Sequence, residues 1–145
     1  GAQCSAAMPH TVFITTRQGP FIGPDRGREW IPVDLGQFSP ITYTRDLRVA
    51  PNDPNLLYVS IGAGARSTQG ALYRSRDLFR TFERVDRGIN ASATMMAVGI
   101  DPRSPHHLFC VDRDGLVFGS LDNGDTWTTY PLPEKAKEVR GLAVG

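Results

Sequence analysis

Residues 120–127 near the end of this chain read SLDNGDTW, which joins a tight-turn sequence to a large apolar side chain. Asp-Asn-Gly favours a tight turn, and a Trp just after it can anchor that turn in a core. Related stretches occur at 75–82 (SRDLFRTF) and 23–30 (GPDRGREW). All three have Asp at the third position and an aromatic residue five positions later. The three copies predict that the chain contains three repeats of one structural unit, each with a tight turn and an aromatic anchor.

Two further elements recur in step with these turns. Segments that begin at Pro9, Pro54 and Pro105 share an apolar pattern, and they start about 45 and 51 residues apart. Residues 47–51 (LRVAP) match 98–102 (VGIDP), and 142–144 resemble a third copy. A repeat of this length with four short strands is typical of a β-propeller blade. The sequence predicts an all-β chain of three blades, either a half-propeller or a fragment.

The predicted strands follow the same repeat. The inner strands are 43–49, 95–100 and 139–144; the second strands are 11–16, 56–61 and 107–112; the third strands are 20–23, 71–75 and 116–120; the outer strands are 29–34, 81–86 and 126–130. Residues 1–7 have little strand character, so 139–144 are expected to supply the missing first inner strand. We expect one three-blade unit over 1–145, with repeats at about 9–49, 50–100 and 101–145.

The turn sequence resembles the Asp-box, or bacterial neuraminidase repeat, which is written Ser-x-Asp-x-Gly-x-Thr-Trp. Residues 120–127 match every fixed position, 75–82 lack the Gly and end in Phe, and 23–30 carry Gly for Ser and Glu for Thr. Proteins with this motif include sialidases, xyloglucan-cleaving glucanases, sortilin-type receptors and a photosystem assembly factor. The resemblance implies propeller blades whose Asp carboxylates accept hydrogen bonds from the turn and whose aromatic side chains pack into the blade. The residues with these structural roles are Asp25, Trp30, Asp77, Phe82, Asp122 and Trp127.

Composition narrows the range of partners and cofactors. The 145 residues carry 16 Lys and Arg against 15 Asp and Glu, for a net charge of +1. This balance predicts neither nucleic-acid nor membrane binding. The three histidines lack zinc-type spacing, so no metal or other cofactor is expected. No leader or apolar span of about 20 residues is visible, which leaves the compartment open, including secretion or the periplasm.

Three blades are too few to close a ring, because propellers typically have about 4–8 blades. Open blade faces would remain exposed at both ends of the unit. A homodimer would complete a six-bladed propeller, and the balanced strand inventory favours it. The other interpretation is that the chain is part of a longer propeller.

Ligand-binding candidates lie where propellers usually bind, at the axial mouth. Arg45 and Arg140 occupy one aligned position at the start of the inner strands, and together they suit a carboxylate, sulfate or phosphate. Arg66 and Gln69 lie in the inserted loop 62–70, and such loops often carry function. The alternative for Arg45 and Arg140 is that they form local ion pairs at the surface. The alternative for the loop 62–70 is that it is a tolerated surface insertion.

Catalytic candidates are Asp112 and Asp114, with Tyr43 nearby. Glycosidases use two carboxyl groups about 5–5.5 Å or 6.5–9.5 Å apart, but Asp residues before Gly115 also suit an ordinary hairpin turn. The leading hypothesis is a non-catalytic module that binds a carbohydrate or anionic ligand, or serves in assembly. The alternatives are a sialidase-like or polysaccharide-cleaving glycoside hydrolase, completed by oligomerisation or further blades, and a purely structural repeat. The sequence does not decide whether the chain is an enzyme.

Overall fold

A computed structural model describes residues 1–145 and contains twelve strands in three four-stranded antiparallel sheets. Blade 1 consists of β1 (Ala2–Ser5), β2 (Met8–Thr16), β3 (Gly19–Gly23) and β4 (Ile31–Pro32). Blade 2 consists of β5 (Tyr43–Ala50), β6 (Asp53–Gly62), β7 (Gly70–Ser75) and β8 (Glu83–Arg84). Blade 3 consists of β9 (Met95–Ile100), β10 (Leu108–Asp112), β11 (Leu116–Ser120) and β12 (Thr128–Pro131).

Each sheet keeps chain order from its inner to its outer strand, which confirms the predicted propeller blades. The inner strand β5 contacts both β1 and β9, so the blades meet along their inner strands. Pro24–Gly27 form a tight turn in which Asp25 and Arg26 have positive φ angles of 45° and 62°, and Leu35–Gln37 form a 3₁₀ turn. Neither has the length and apolar character needed to cross a bilayer.

Blade 2 has an apolar core on each of its faces because β6 alternates its side chains. Leu57, Val59 and Ile61 point into a core shared with blade 1, whereas Tyr58 points into a core shared with blade 3. This alternation follows from the two-residue period of a strand. A continuous apolar run in β6 therefore indicates a strand buried on both sides.

Aromatic side chains fill the first of these cores. Phe79 lies 5.8 Å from Phe13 between ring centroids, and Phe82 lies 5.5 Å from Phe38. The aromatic residues of the 75–82 turn thus pack against blade 1 and against the segment that joins β4 to β5. Tilted ring pairs at such distances add to the free energy gained from burial.

Polar bonds join blade 3 to blade 2. The buried Arg74 side chain donates from Nη1 to the carbonyl oxygen of Asn123 at 2.7 Å and to Oδ1 of Asp125 at 3.0 Å. Its Nε donates to Oε1 of Glu83 at 2.8 Å, and the Tyr58 hydroxyl also donates to the Asn123 oxygen, at 3.1 Å. The 120–127 turn is therefore fastened to the preceding blade as well as to its own.

The predictions for the two ends of the chain were wrong. Residues 2–5 form the inner strand β1, with Gln3 opposite Phe13; their small polar side chains give no strand signal, so pairing with β2 decides their structure. Residues 139–144 form no strand, although the Val139 amide donates to the Arg113 carbonyl oxygen at 3.1 Å. They lie beside β9, where Val144 approaches Gly99 closely. A strand needs a hydrogen-bonded neighbouring strand, and these residues form no ladder with β9, which pairs with β10.

Candidate functional site

The 120–127 turn is held by one carboxylate and one hydroxyl. Asp122 accepts from the Thr126 amide at 2.8 Å through Oδ1 and from the Thr126 hydroxyl at 2.5 Å through Oδ2. Ser120 donates to Asp122 at 2.7 Å and accepts from the Gly124 amide at 2.8 Å. These bonds, chiefly those from Thr126, lower the pKa of Asp122 to about 2.

The other two turns differ from each other. In the 75–82 turn, Asp77 accepts from the Thr81 amide at 2.8 Å and hydroxyl at 2.7 Å, as in the last turn. In the 23–30 turn, Asp25 instead lies 3.3 Å from Arg28 in an exposed ion pair. The Ser and Thr partners are absent there, and Trp30 remains 44 % exposed. The carboxylates of Asp77 and Asp122 stabilise their own turns and line none of the five main cavities.

A groove lies at the opposite end of the blades, where the inner strands begin. Its first chamber has a volume of about 450 Å³ and its second a volume of about 200 Å³. Both chambers are lined by Arg45, Met96 and Arg140. The first adds Arg17, Tyr43 and Arg48, and the second adds Arg66, Arg113 and Glu138. We call these two chambers together the arginine groove.

A β-bulge places Arg45 in this groove. Thr44 pairs with Ile61 and Asp46 with Ser60, which leaves Arg45 without an opposite residue. Met96 is skipped in the same way in blade 3, because the pairing shifts between Val111 and Asp112. Bulges re-aim side chains and occur often beside active sites. The aligned position predicted from the sequence is thus a structural irregularity shared by two blades.

The Arg45 guanidinium is fixed by its neighbours but only partly satisfied. Thr15 donates through its hydroxyl to the Arg45 carbonyl oxygen at 3.1 Å. Nη1 of Arg45 donates to the Tyr43 hydroxyl at 3.2 Å, and Cζ lies 5.8 Å from the Tyr43 ring centroid. Nε is buried and has no hydrogen-bond partner. An unpaired buried donor is costly, and the Arg45 guanidinium therefore keeps unused hydrogen-bonding capacity.

The local ion pairs considered from the sequence do not form. Asp46 turns away from Arg45 and accepts from the amides of Leu47 at 2.9 Å and Val98 at 3.2 Å and from Arg48 at 3.1 Å. Burial raises the pKa of Asp46, and Arg48 opposes that effect. Neither Arg45 nor Arg140 lies within ion-pair distance of a carboxylate. Both guanidinium groups are free to bind an anion.

The inserted loop contributes one of its two candidates to the groove. Arg66 lines the second chamber, and the loop is held there by Thr94, whose amide donates to the Ser67 carbonyl oxygen at 3.1 Å and whose hydroxyl donates to Gly64. Gln69 lines a separate cavity with Tyr73 and Arg84. Arg66 therefore joins Arg45 and Arg140, whereas Gln69 does not.

The two carboxylate candidates lie in a hairpin beside the groove. Asp112 is fully buried, and its two oxygens accept from the amide and hydroxyl of Ser92 and from the amides of Asp114 and Leu116 at 2.9–3.2 Å. Asp114 lies 3.2 Å from Arg113 in an ion pair. Tyr43 lies in the groove, but neither carboxylate does. No cluster of three His, Cys, Asp or Glu side chains could hold a metal ion.

Sequence reasoning missed Arg17, Arg48 and Arg113. Arg17 and Arg113 follow the aligned strands β2 and β10 at the same distance from Phe13 and Phe109. The same repeat alignment that identified Arg45 and Arg140 could therefore have identified this second pair. Arg48 gives no such signal, because the equivalent residue in blade 3 is Gly99.

Comparison with known proteins finds similarity to a curated xyloglucanase sequence. No protein-family profile matches it. A probable oligoxyloglucan-reducing end-specific xyloglucanase of Neosartorya fischeri is 27 % identical over 124 residues, which cover 79 % of this chain and 15 % of the relative. The present sequence thus spans only a small part of that relative.

Solved structures give the same fold. An ancestral GH74 enzyme superposes with a TM-score of 0.75 at 14 % identity, over 95 % of this chain and 19 % of the enzyme. The GH74 xyloglucanase of Xanthomonas campestris superposes with a TM-score of 0.68 at 20 % identity, over 88 % of this chain and 20 % of the enzyme. The three sheets and these likenesses establish that the chain has a β-propeller fold and spans about a fifth of these larger proteins.

Proposed function

We propose that the chain is an Asp-box propeller module that binds an anionic carbohydrate in the arginine groove without cleaving it. The observation that carries this proposal is the convergence of Arg45 and Arg140, both without an ion pair, on a chamber of about 450 Å³. That volume lies in the range of small-ligand sites. Planar guanidinium groups bind carboxylates through paired, charge-assisted hydrogen bonds.

Two of the three turns support the Asp-box assignment. Asp77 and Asp122 each accept from both the amide and the hydroxyl of the Thr four residues later. The first turn has lost these bonds together with its Ser and Thr. We therefore assign the motif to all three repeats, with a degenerate copy in blade 1.

Carbohydrate is the proposed ligand class because of the groove's polar lining and the relative's named substrate. Thr15, Thr16 and the Tyr43 hydroxyl line the first chamber beside the arginines, and hydroxyls suit the many donors and acceptors of a sugar. The relative in Neosartorya fischeri is named for action on a xyloglucan oligosaccharide. The positive charge of the groove favours a sugar that carries an acidic group.

The second candidate function is glycoside hydrolysis, as in the xyloglucanase relative. Its support is the 27 % identity over 124 residues. Asp112 is buried and bonded within its hairpin, so a catalytic pair of carboxylates would have to come from other blades or from a second copy of the chain. Under this alternative, the chain contributes substrate contacts and the reacting carboxylates lie elsewhere.

Substitution of the two groove arginines tests the binding proposal. We expect Arg45→Ala and Arg140→Ala each to weaken binding of galacturonic acid oligomers about 10- to 100-fold, since a hydrogen bond to a charged group contributes about 1.5–3 kcal/mol. Isothermal titration calorimetry will measure this, with Arg80→Ala as the matched control because Arg80 is exposed and lies outside the groove. The affinity should also fall as salt rises.

Neutral xyloglucan oligosaccharides separate the two candidate functions in the same experiment. If these oligosaccharides bind tightly and Arg45→Ala leaves their affinity unchanged, the anionic-ligand proposal is contradicted and the second function is favoured. Hydrolysis of xyloglucan by the 145-residue chain, unchanged in Arg80→Ala, would contradict the non-catalytic assignment.

We also propose that further blades of a longer polypeptide cover the two end faces of this unit. On blade 1, Trp30 is 44 % exposed beside Ile14 and Phe21, and on blade 3, Tyr130 is 52 % exposed. A homodimer would give six blades, but it would bring β1 of the second copy towards β9, beside which residues 142–144 already lie. We expect sedimentation of the 145-residue chain to give the mass of one copy, 15.9 kDa. A stable species of twice that mass would support the homodimer instead.

A further inference from the structure

We propose that the arginine groove binds two acidic groups of one oligosaccharide, one in each chamber. This inference rests on the proposed anionic-carbohydrate function and names the ligand class more closely. The ligand would be a chain of sugars with carboxylates on neighbouring units, such as a polyuronate, rather than a sugar with a single acid.

The two chambers are neighbouring parts of one surface. Arg45, Met96 and Arg140 line both of them. The chambers measure about 450 Å³ and 200 Å³, and the shared residues lie where the two chambers meet. A linear ligand that passes Arg45 would have one end in each chamber.

Each chamber has its own uncompensated cation besides the shared pair. Arg17 in the first chamber and Arg66 in the second have no carboxylate within ion-pair distance. Arg48 and Arg113 are different, because they are paired with Asp46 and Asp114 at 3.1 Å and 3.2 Å. Free charge therefore lies on both sides of Arg45 and Arg140.

The second chamber also contains a carboxylate, that of Glu138. It forms no ion pair with Arg140 or Arg66. The positive charges of Arg66, Arg45 and Arg140 outnumber the negative charge of Glu138, so the chamber remains positive overall. Glu138 should limit the affinity for a second acid and can accept hydrogen bonds from sugar hydroxyls.

The structure holds the second chamber in place rather than leaving it to a free loop. The Thr94 hydroxyl donates to the Gly64 carbonyl oxygen, and its amide donates to that of Ser67. The Thr94 carbonyl oxygen in turn accepts from the Arg113 amide at 3.1 Å. One residue thus ties the Arg66 loop to the hairpin of Arg113, which sets the width of the chamber.

Titration with galacturonic acid, its dimer and its trimer tests the inference on the 145-residue chain. We expect the dimer or trimer to bind about tenfold or more tightly than the monosaccharide. Arg66→Ala should lower the ratio of oligomer affinity to monosaccharide affinity to about one, whereas Arg45→Ala should weaken binding of both ligands. Glu138→Gln should strengthen oligomer binding several-fold, and Arg80→Ala should change nothing.

The outcomes separate this inference from the proposed function. Monosaccharide binding that depends on Arg45, with no gain for oligomers or no effect of Arg66→Ala on that gain, would overturn the two-acid inference alone. Absence of binding to every uronate would overturn both proposals. A neutral disaccharide of the same length that binds as tightly as the diuronate would also overturn the inference, because the gain would then come from length rather than charge.

Discussion

Replacement of Trp127 by Ala is expected to lower the free energy of unfolding by about 3 kcal/mol. The Trp127 indole packs against the second core, which contains Val85. Its Nε1 donates to the carbonyl oxygens of Val85 at 2.8 Å and Gly124 at 3.0 Å. The substitution would therefore create a cavity and leave the inter-blade bond to Val85 unmade. Urea unfolding followed by circular dichroism will measure the loss.

Trp30 provides the matched control, because it holds the same position in the first turn. It is 44 % exposed and contacts its own turn at Gly23 and Gly27. Trp30→Ala should cost no more than about 1 kcal/mol, since only partial burial is lost. Equal effects of the two substitutions would contradict the view that the aromatic anchor acts mainly between blades.

The fold was predictable because its signals are local and repeated. Tight-turn residues, the aromatic anchors and the apolar runs of β6 and β10 recur at similar intervals along the chain, and each indicates a strand or turn by itself. The predicted propeller blades are confirmed. The end strands were not predictable in the same way: residues 2–5 become a strand only through pairing with β2, and 139–144 remain without a partner. Pairing is a property of the whole sheet rather than of the segment.

The groove was predictable only in part. Alignment of the repeats brought Arg45 and Arg140 to one position, and the structure places both in the same two chambers. The sequence could not show that Asp46 turns towards the Val98 amide, because that depends on the register of a neighbouring blade. Nor could it show the bulge at Arg45, which exists only relative to β6. Which charges remain free is decided by packing between blades.

Substitution of Gly70, in the loop that also carries Arg66, should cause the second large loss of stability. Gly70→Ala would place a methyl group against the Ala93 carbonyl oxygen and 2.7 Å from the Met95 amide nitrogen. Because neither backbone atom can move aside without shifting the start of β9, we expect a loss of about 3 kcal/mol in the free energy of unfolding. Gly64→Ala in the same loop is the control, since no atom lies within 4 Å of the added carbon, and it should change stability by less than about 0.5 kcal/mol.

The same pair of substitutions links stability to binding. β9 carries Met96 on its bulge, and the Thr94 that holds the Arg66 loop lies just before β9. A shift of this backbone in Gly70→Ala should therefore widen the second chamber, so the affinity for galacturonate oligomers should fall more than the affinity for the monosaccharide, measured at a temperature where the variant is folded. A variant that loses stability but keeps the full oligomer affinity would show that the close contact at Gly70 supports the fold without shaping the groove.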